Sequence, residues 1–432
     1  MSVQKVPKFS QSLCLTLILI LSHSLAAATE TKFIQYDGFA MHQLKQSLQS
    51  KEPPKIRFLA YQQLLTAADK MLDQPVPSVM EKTFIPPSGD KHDYLSISRY
   101  WWPDPAKKDG LPWIRKDGIT NPATQTNDVD RNKLGIMGNM VQVLSLAYYL
   151  SGHEPYAEKT ATLLRTWFIS PETKMNPHLR FAQSVPGNSA ERRSGILDGR
   201  LIPKYVLDAI HILSKSNHWK NSDTQNMNAW FDAYFKWLTQ SQLGKQGAKQ
   251  TNNHGSWYYF QVASLAYYLD EQEVLTDTFE RVKASYEYQF DANGSQPHEL
   301  ARTRSFFYST FNLEAITDIA LLADKVNQSF WDYRSKSGAS LKLAIEFLMP
   351  AALGEEWKYK TKGIEPMFLV PVLIKFDQNA KHKISAAELH RIISQAKRPQ
   401  KSSTKKDNHT TFKFANKTEL LLALFEPEYI SY

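Results

Sequence analysis

From Lys133 onward, apolar residues recur at three- and four-residue spacing, as in LGIMGNMVQVLSLAYYL, LIPKYVLDAIHILSKS, NAWFDAYFKWLTQSQLG, FNLEAITDIALLADKV and LKLAIEFLMPAAL. That period lays one apolar stripe along each segment at the helical repeat. Short connectors holding Gly, Pro, Asn or Asp separate the segments, and no sustained alternation asks for a sheet. Such stripes are buried by packing helix on helix, so the expected class is all-α. The hexapeptide SLAYYL closes a run twice, at 145–150 and 264–269, which suggests a repeated helical hairpin.

Residues 75–130 break the pattern, being rich in Pro, Gly, Asp and Trp with little periodicity. A connection this long inside a compact domain is usually functional or disordered, and its aromatic content argues for order. The expectation is an ordered loop over a site, followed by a helix capped by Asn127 or Asp128. In this loop Trp101, Trp102 and Trp113 interleave with Arg99, Asp104, Arg115 and Asp117, a mixture suited to facing a substrate.

At 432 residues and 42% hydrophobic, the chain can bury a large core. Residues 1–28 read as a cleavable secretory signal: Lys5 and Lys8, an apolar run from Leu13 to Leu21, then Ala26, Ala27 and Ala28. The run is shorter than the roughly 20 apolar residues of a membrane span. The expectation is therefore an exported, periplasmic or secreted protein with one domain over 29–432. The only cysteine, Cys14, lies in the signal, which excludes a disulfide and a thiolate nucleophile from the mature chain.

Removal of Lys5 and Lys8, with no acid lost, takes the formal charge from +9 to +7. Excess positive charge favours anionic partners. The one basic run, within residues 397–410, reads as a solvated surface loop rather than a nucleic-acid motif. With 10 Trp, 20 Tyr and 22 Phe, the composition suits an acidic polysaccharide, whose sugar rings stack on aromatic faces while arginines meet carboxylates. No metal-ligand spacing and no glycine-rich phosphate loop occurs, so neither metal nor cofactor is expected.

Four segments carry a resemblance: HDYLSISRYWWPDP with LPWIRKDGITNP, KMNPHLRFAQSVPGNSAERRSGILD, NNHGSWYYFQVASLAYYL, and ELARTRSFFYSTFNLEA. In this order they resemble the alginate lyase group of polysaccharide lyases, most closely polysaccharide lyase family 38 and more distantly family 5, over Tyr61 to Ala323. The resemblance implies an α/α toroid of helical hairpins. It also implies β-elimination on a β-1,4-linked polyuronate, with mannuronate-rich alginate the first substrate and glucuronan the second.

That reaction removes the C5 proton and expels the C4 oxygen. It needs groups that neutralise the neighbouring carboxylate, a base, and an acid for the leaving oxygen. Carried over by motif, the catalytic set falls on Asn253, His254, Arg302 and Tyr308. Asn253 would donate to the carboxylate and Arg302 would offset its charge. His254 would either help neutralise it or act as base, and Tyr308 would protonate the leaving oxygen or also take the C5 proton. As a base Tyr308 would need its pKa lowered by a nearby arginine. Arg304 competes with Arg302, being four residues before Tyr308 and so on its face if the segment is helical throughout. Substrate contacts are expected from Arg99, Tyr100, Trp101, Trp102, Trp113, Arg115, Gln183, Arg193, Trp257, Tyr258 and Arg304.

Two rivals stand beside this reading. A glycoside hydrolase on the same toroid needs two carboxyl groups across the scissile bond, with Glu191, Asp198 and Glu299 as candidates. A non-catalytic binding protein would keep the cleft without the reaction.

Overall fold

The computed structural model describes residues 32–188, 191–380, 384–396 and 417–429. The signal segment 1–28 and the basic loop 397–410 lie outside them. The helices are α1 (Gly38–Gln49), α2 (Lys55–Leu72), α3 (Arg131–Ser151), α4 (Glu154–Leu164), α5 (Leu201–Tyr205), α6 (Leu207–Leu213), α7 (Asn221–Gln240), α8 (Gln242–Ala248), α9 (Asn253–Tyr268), α10 (Gln272–Gln289), α11 (Pro297–Leu300), α12 (Ser305–Asp324), α13 (Leu341–Ala352), α14 (Val370–Asn379), α15 (Ala386–Ala396) and α16 (Lys417–Phe425). Neighbours in sequence pack as hairpins, α3 on α4 and α9 on α10, and the hairpins pack on one another as an α/α toroid.

The layers follow from burial. α9 is buried nearly all round from Asn253 to Ala266, and α12 from Ser305 to Ala323. α10 buries one stripe, including Leu275, Phe279, Val282 and Tyr286. A helix apolar on every side belongs inside, and one with a polar face belongs outside. α9 and α12 pack directly on each other and form the inner layer under the site. Both SLAYYL copies end helices, at α3 and at α9. After α3, Gly152 takes a left-handed φ of 73° that stops the helix and turns the chain into α4.

Two expectations on the connections need correction. The helix after the long loop begins at Arg131, with Asp130 rather than Asn127 or Asp128 at the cap position. The Asp130 carboxylate is spent elsewhere, on the Leu95 N–H at 2.8 Å and on the buried Lys82 ammonium at 3.0 Å. Asp128 accepts from the Thr83 hydroxyl. The long runs at 201–216 and 228–244 are each divided, at Val206 and at Ser241. At the second break the Ser241 side chain accepts from the Gly244 N–H and starts α8.

The 75–130 loop is ordered by short pairings. β1 (Leu95–Ile97) runs parallel to β4 (Phe181–Ser184), and β2 (Trp101–Trp102) pairs antiparallel with β3 (Ile114–Arg115). Strands of two to four residues are too short for alternation to show in the sequence. Leu95, Ile97, Val129 and Phe181 make a small separate core under the loop, with Trp113 packed against it.

Candidate active site

The turn into α9 sets the first wall. Asn252 caps the helix, its side chain accepting from the His254 N–H at 3.1 Å. A Cβ at Gly255 would sit 2.1 Å from the Gln250 carbonyl oxygen, so only glycine permits this tight entry. The result presents His254 to a cavity of about 560 Å³ while Asn253 turns inward.

Asn253 is 0% exposed and lies behind the cavity wall. Its backbone N–H donates to Glu299 Oε1 at 2.6 Å and its Nδ2 to Oε2 at 2.7 Å. This corrects the expectation that Asn253 donates to the substrate: its amide is engaged with Glu299.

The second wall is the start of α12. Tyr308 lines the cavity, and its hydroxyl donates to the Tyr100 hydroxyl at 2.9 Å. The Arg302 guanidinium lies 3.8 Å from the Tyr308 ring centroid, a cation–π distance. Asp117 fixes that guanidinium, accepting from Nη2 at 2.8 Å and from Nε at 3.3 Å. The loop can approach this closely because residue 118 is glycine: φ is 70°, and a Cβ would meet Thr303 Oγ1 at 2.2 Å. Arg304 pairs with Glu365 at 3.3 Å and lies over Phe307, outside the cavity lining. The argument from four-residue spacing fails because α12 begins at Ser305 and leaves Arg304 as its cap.

Of the residues expected from sequence, Arg99, Tyr100, Trp101, Arg115, Gln183, Arg193, His254, Arg302 and Tyr308 line the cavity. Four expected aromatics do not. Trp257 is 1% exposed and packs on Phe311, with centroids 4.9 Å apart. Tyr258 is buried and donates to the Leu238 carbonyl. Trp102 donates to the Ile119 carbonyl under Lys116, and Trp113 covers the small loop core. These side chains hold the walls in place instead of facing the substrate.

Arg131, Arg192, Arg200, Gln246, Gln250, Phe307 and Phe311 also line the cavity. Arg192 stands in the resembling segment KMNPHLRFAQSVPGNSAERRSGILD beside Arg193, and it lies 4.8 Å over the Trp101 ring. Phe307 and Phe311 stack with centroids 5.7 Å apart, a pair that four-residue spacing on α12 could have revealed. Nothing near Arg131 or Arg200 in sequence marks them. Asp198 organises this side, pairing with Arg131 and accepting from Gln183 Nε2 at 3.1 Å. Gln183 holds a left-handed φ of 50°, fixed by a 2.7 Å bond from its N–H to Ser96 Oγ, the kind of backbone strain found at binding sites.

Seven arginines therefore line the cavity against one acid, Glu191, which is paired with Arg180 at 2.6 Å. Burial first, then the charges of Arg302, Arg193 and Arg200, push the His254 imidazole down to about 4. His254 is thus neutral near pH 7 and able to accept a proton. Burial, reinforced by Tyr100, pushes the Tyr308 phenol well above its ordinary range, and Arg302 opposes this without reversing it. The expected lowering of Tyr308 by an arginine is corrected accordingly: Tyr308 is held as a proton donor. Of the three carboxyls considered for hydrolysis, Asp198 and Glu299 are each 1% exposed and bonded within the protein. No carboxyl pair faces across the described cavity.

The alginate lyase family model matches residues 78–357. An alginate lyase from Bacteroides ovatus is 33% identical and superposes with a TM-score of 0.78, over 85% of this chain and 96% of that one. A variant of alginate lyase A1-III complexed with a tetrasaccharide is 15% identical, with a TM-score of 0.52 over 85% and 87%. The alginate lyase A1-III of Sphingomonas species A1 is 14% identical, with a TM-score of 0.50 over 85% and 88%. No curated protein matches the sequence. The matched stretch covers more than half of the chain and contains both walls of the cavity, and the chain belongs to the alginate lyase family, a polysaccharide lyase.

Proposed function

We propose that this lyase is exported and cleaves a β-1,4-linked polyuronate by β-elimination, with mannuronate-rich alginate its first substrate and glucuronan its second. The observation that carries this reading is the pairing of a neutral imidazole, His254, with a protonated phenol, Tyr308, in a cavity lined by seven arginines. Arg302, Arg193 and Arg200, the charges that bear on His254, neutralise the uronate carboxylate and so make the C5 proton removable. The bound carboxylate in turn offsets the repulsion those arginines exert, which raises the basicity of His254 when substrate is present.

His254 then takes the C5 proton as the C5–H bond breaks. The C4–C5 double bond forms, the C4–O4 bond breaks, and Tyr308 gives its proton to the leaving oxygen. Tyr100, bonded to the Tyr308 hydroxyl at 2.9 Å, steadies the phenolate left behind until the proton on His254 returns. His254 and Tyr308 line one cavity from adjoining walls, on α9 and α12, which pack side by side, and both are proposed to act on one face of the sugar. In mannuronate and glucuronate the C5 proton and O4 share one face, which suits that arrangement; in guluronate they do not.

The test is the initial rate of unsaturated-product formation on polymannuronate, polyguluronate and glucuronan. Polymannuronate is expected to be fastest and polyguluronate slowest. A protein fastest on polyguluronate would refute the shared-face argument, and reducing ends without unsaturation would move the reading to hydrolysis.

A further inference from the structure

Glu299 is a carboxyl that the mechanism above leaves unused. It is 1% exposed, lies outside the cavity lining, and is bonded through both oxygens to one residue, Asn253. That residue is the first of α9 and the immediate neighbour of His254. On its own side, Glu299 sits in α11, three residues before Arg302, whose backbone N–H donates to the Glu299 carbonyl at 3.1 Å. One side chain thus ties the helix start carrying His254 to the turn carrying Arg302 and, through it, to the first turn of α12 with Tyr308.

We propose that Glu299 is a positioning residue for this lyase: its two hydrogen bonds to Asn253 fix the His254 helix start against the Arg302–Tyr308 turn. The inference rests on the elimination reading above. A buried carboxyl with no cation bonded to it is costly, and packing alone is served as well by a neutral side chain of the same size. Retaining a side chain that bonds both Asn253 N–H groups makes physical sense where placement matters more than stability. The Glu299 side of the junction is tied to α12: Gln296 Nε2 donates to the Ser309 carbonyl at 3.3 Å, and Asn312 Nδ2 donates to Gln296 Oε1 at 3.0 Å. The buried Oδ1 of Asn253 has no partner within the protein. A glutamine at position 299 could supply one, accepting the Asn253 N–H with its oxygen and donating to Oδ1 once the Asn253 amide turns over.

The experiment compares Glu299→Leu, which removes both acceptors at similar volume, with Glu299→Gln, which keeps the pairing. Both are assayed against wild type for kcat and KM on polymannuronate. A displacement of about 1 Å at a reacting group costs roughly 100-fold, so Glu299→Leu is expected to lose at least that in kcat while KM moves less than about three-fold. Glu299→Gln is expected to recover most of the loss. If Glu299→Leu does not fold, Glu299→Asp, whose shorter arm releases one of the two bonds, is measured in its place with the same split expected.

Wild-type kcat in Glu299→Leu, equal losses in kcat and KM, or a Gln variant no better than Leu would each overturn the proposal. A wild type that forms no unsaturated product would instead overturn the elimination reading, so the two failures are distinguishable.

Discussion

Asp117 lies in the long loop, yet it holds the arginine of the opposite wall, and Asp117→Asn tests how much of the site that loop assembles. The carboxylate accepts from Arg302 at 2.8 and 3.3 Å, from Arg115 at 2.6 Å and from the Thr303 hydroxyl at 3.0 Å. Burial alone would raise its pKa, but the bonds and charge of Arg302, with Arg115 and Thr303, hold it well below the ordinary carboxylate range. Its stabilising effect is therefore present above the unfolded carboxylate pKa of about 4 and is lost as pH falls toward the folded value.

Asparagine keeps the shape but loses the charge and turns an N–H toward one of these donors. Charged hydrogen bonds contribute about 1.5–3 kcal/mol each. With Asp117 23% and Arg302 18% exposed, solvent screening reduces the sum. The expected loss at pH 7 is about 2 kcal/mol, read as a lower urea midpoint at unchanged slope. Release of Arg302 from its place on the Tyr308 ring is expected to lower kcat/KM by roughly 10- to 100-fold. An Asp117→Asn protein with the predicted stability loss but wild-type turnover would refute the idea that the loop positions Arg302.

His254 predicts a pH response. Its folded value of about 4 lies below the ordinary histidine value, so the folded chain binds fewer protons in that window. The acid limb of kcat/KM is therefore expected well below pH 6.5, the ordinary value of about 6.5 being what an unperturbed histidine gives. The His254 contribution to stability is lost as pH falls through the same window, and acid unfolding with and without His254→Gln measures it. Arg304→Ala is expected to leave turnover within about three-fold, whereas Arg302→Ala removes at least about 100-fold; equal losses in steady-state assays would contradict the placement of the two arginines. Seven cavity arginines predict a KM that rises as salt shortens the screening length, and a salt-independent KM would contradict carboxylate recognition by charge.

The helices were legible because an apolar stripe at helical spacing has no other stable use, and residues 134–150 and 311–326 fall within α3 and around the end of α12 as their spacing requires. The loop was legible as a functional segment for the opposite reason, its aromatics lacking any period. What escaped were directions. Asn253 and His254 look like a functional pair on paper, but consecutive residues on a helix point about 100° apart, so one faces the cavity and the other Glu299. Trp257 and Tyr258 share the face of His254 but lie one turn further along α9, where Phe311 and the Leu238 carbonyl cover them. Arg304 was a rival to Arg302 only while α12 was allowed to begin early, and helix ends are set by local caps that spacing does not reveal. Arg131 and Arg200 escaped because only the fold brings them beside His254 and Tyr308.

The measurement that bears most directly on this account follows the ultraviolet absorbance of the unsaturated uronate during incubation with polymannuronate, for wild type and Tyr308→Phe, with polymer affinity determined for both. Wild type is expected to generate the absorbing product, and Tyr308→Phe to bind the polymer with little change while forming almost none. Equal product from both proteins would contradict the role of Tyr308 as proton donor, and polymer binding without product in either would mean that the cavity binds a polyuronate and does not cleave it.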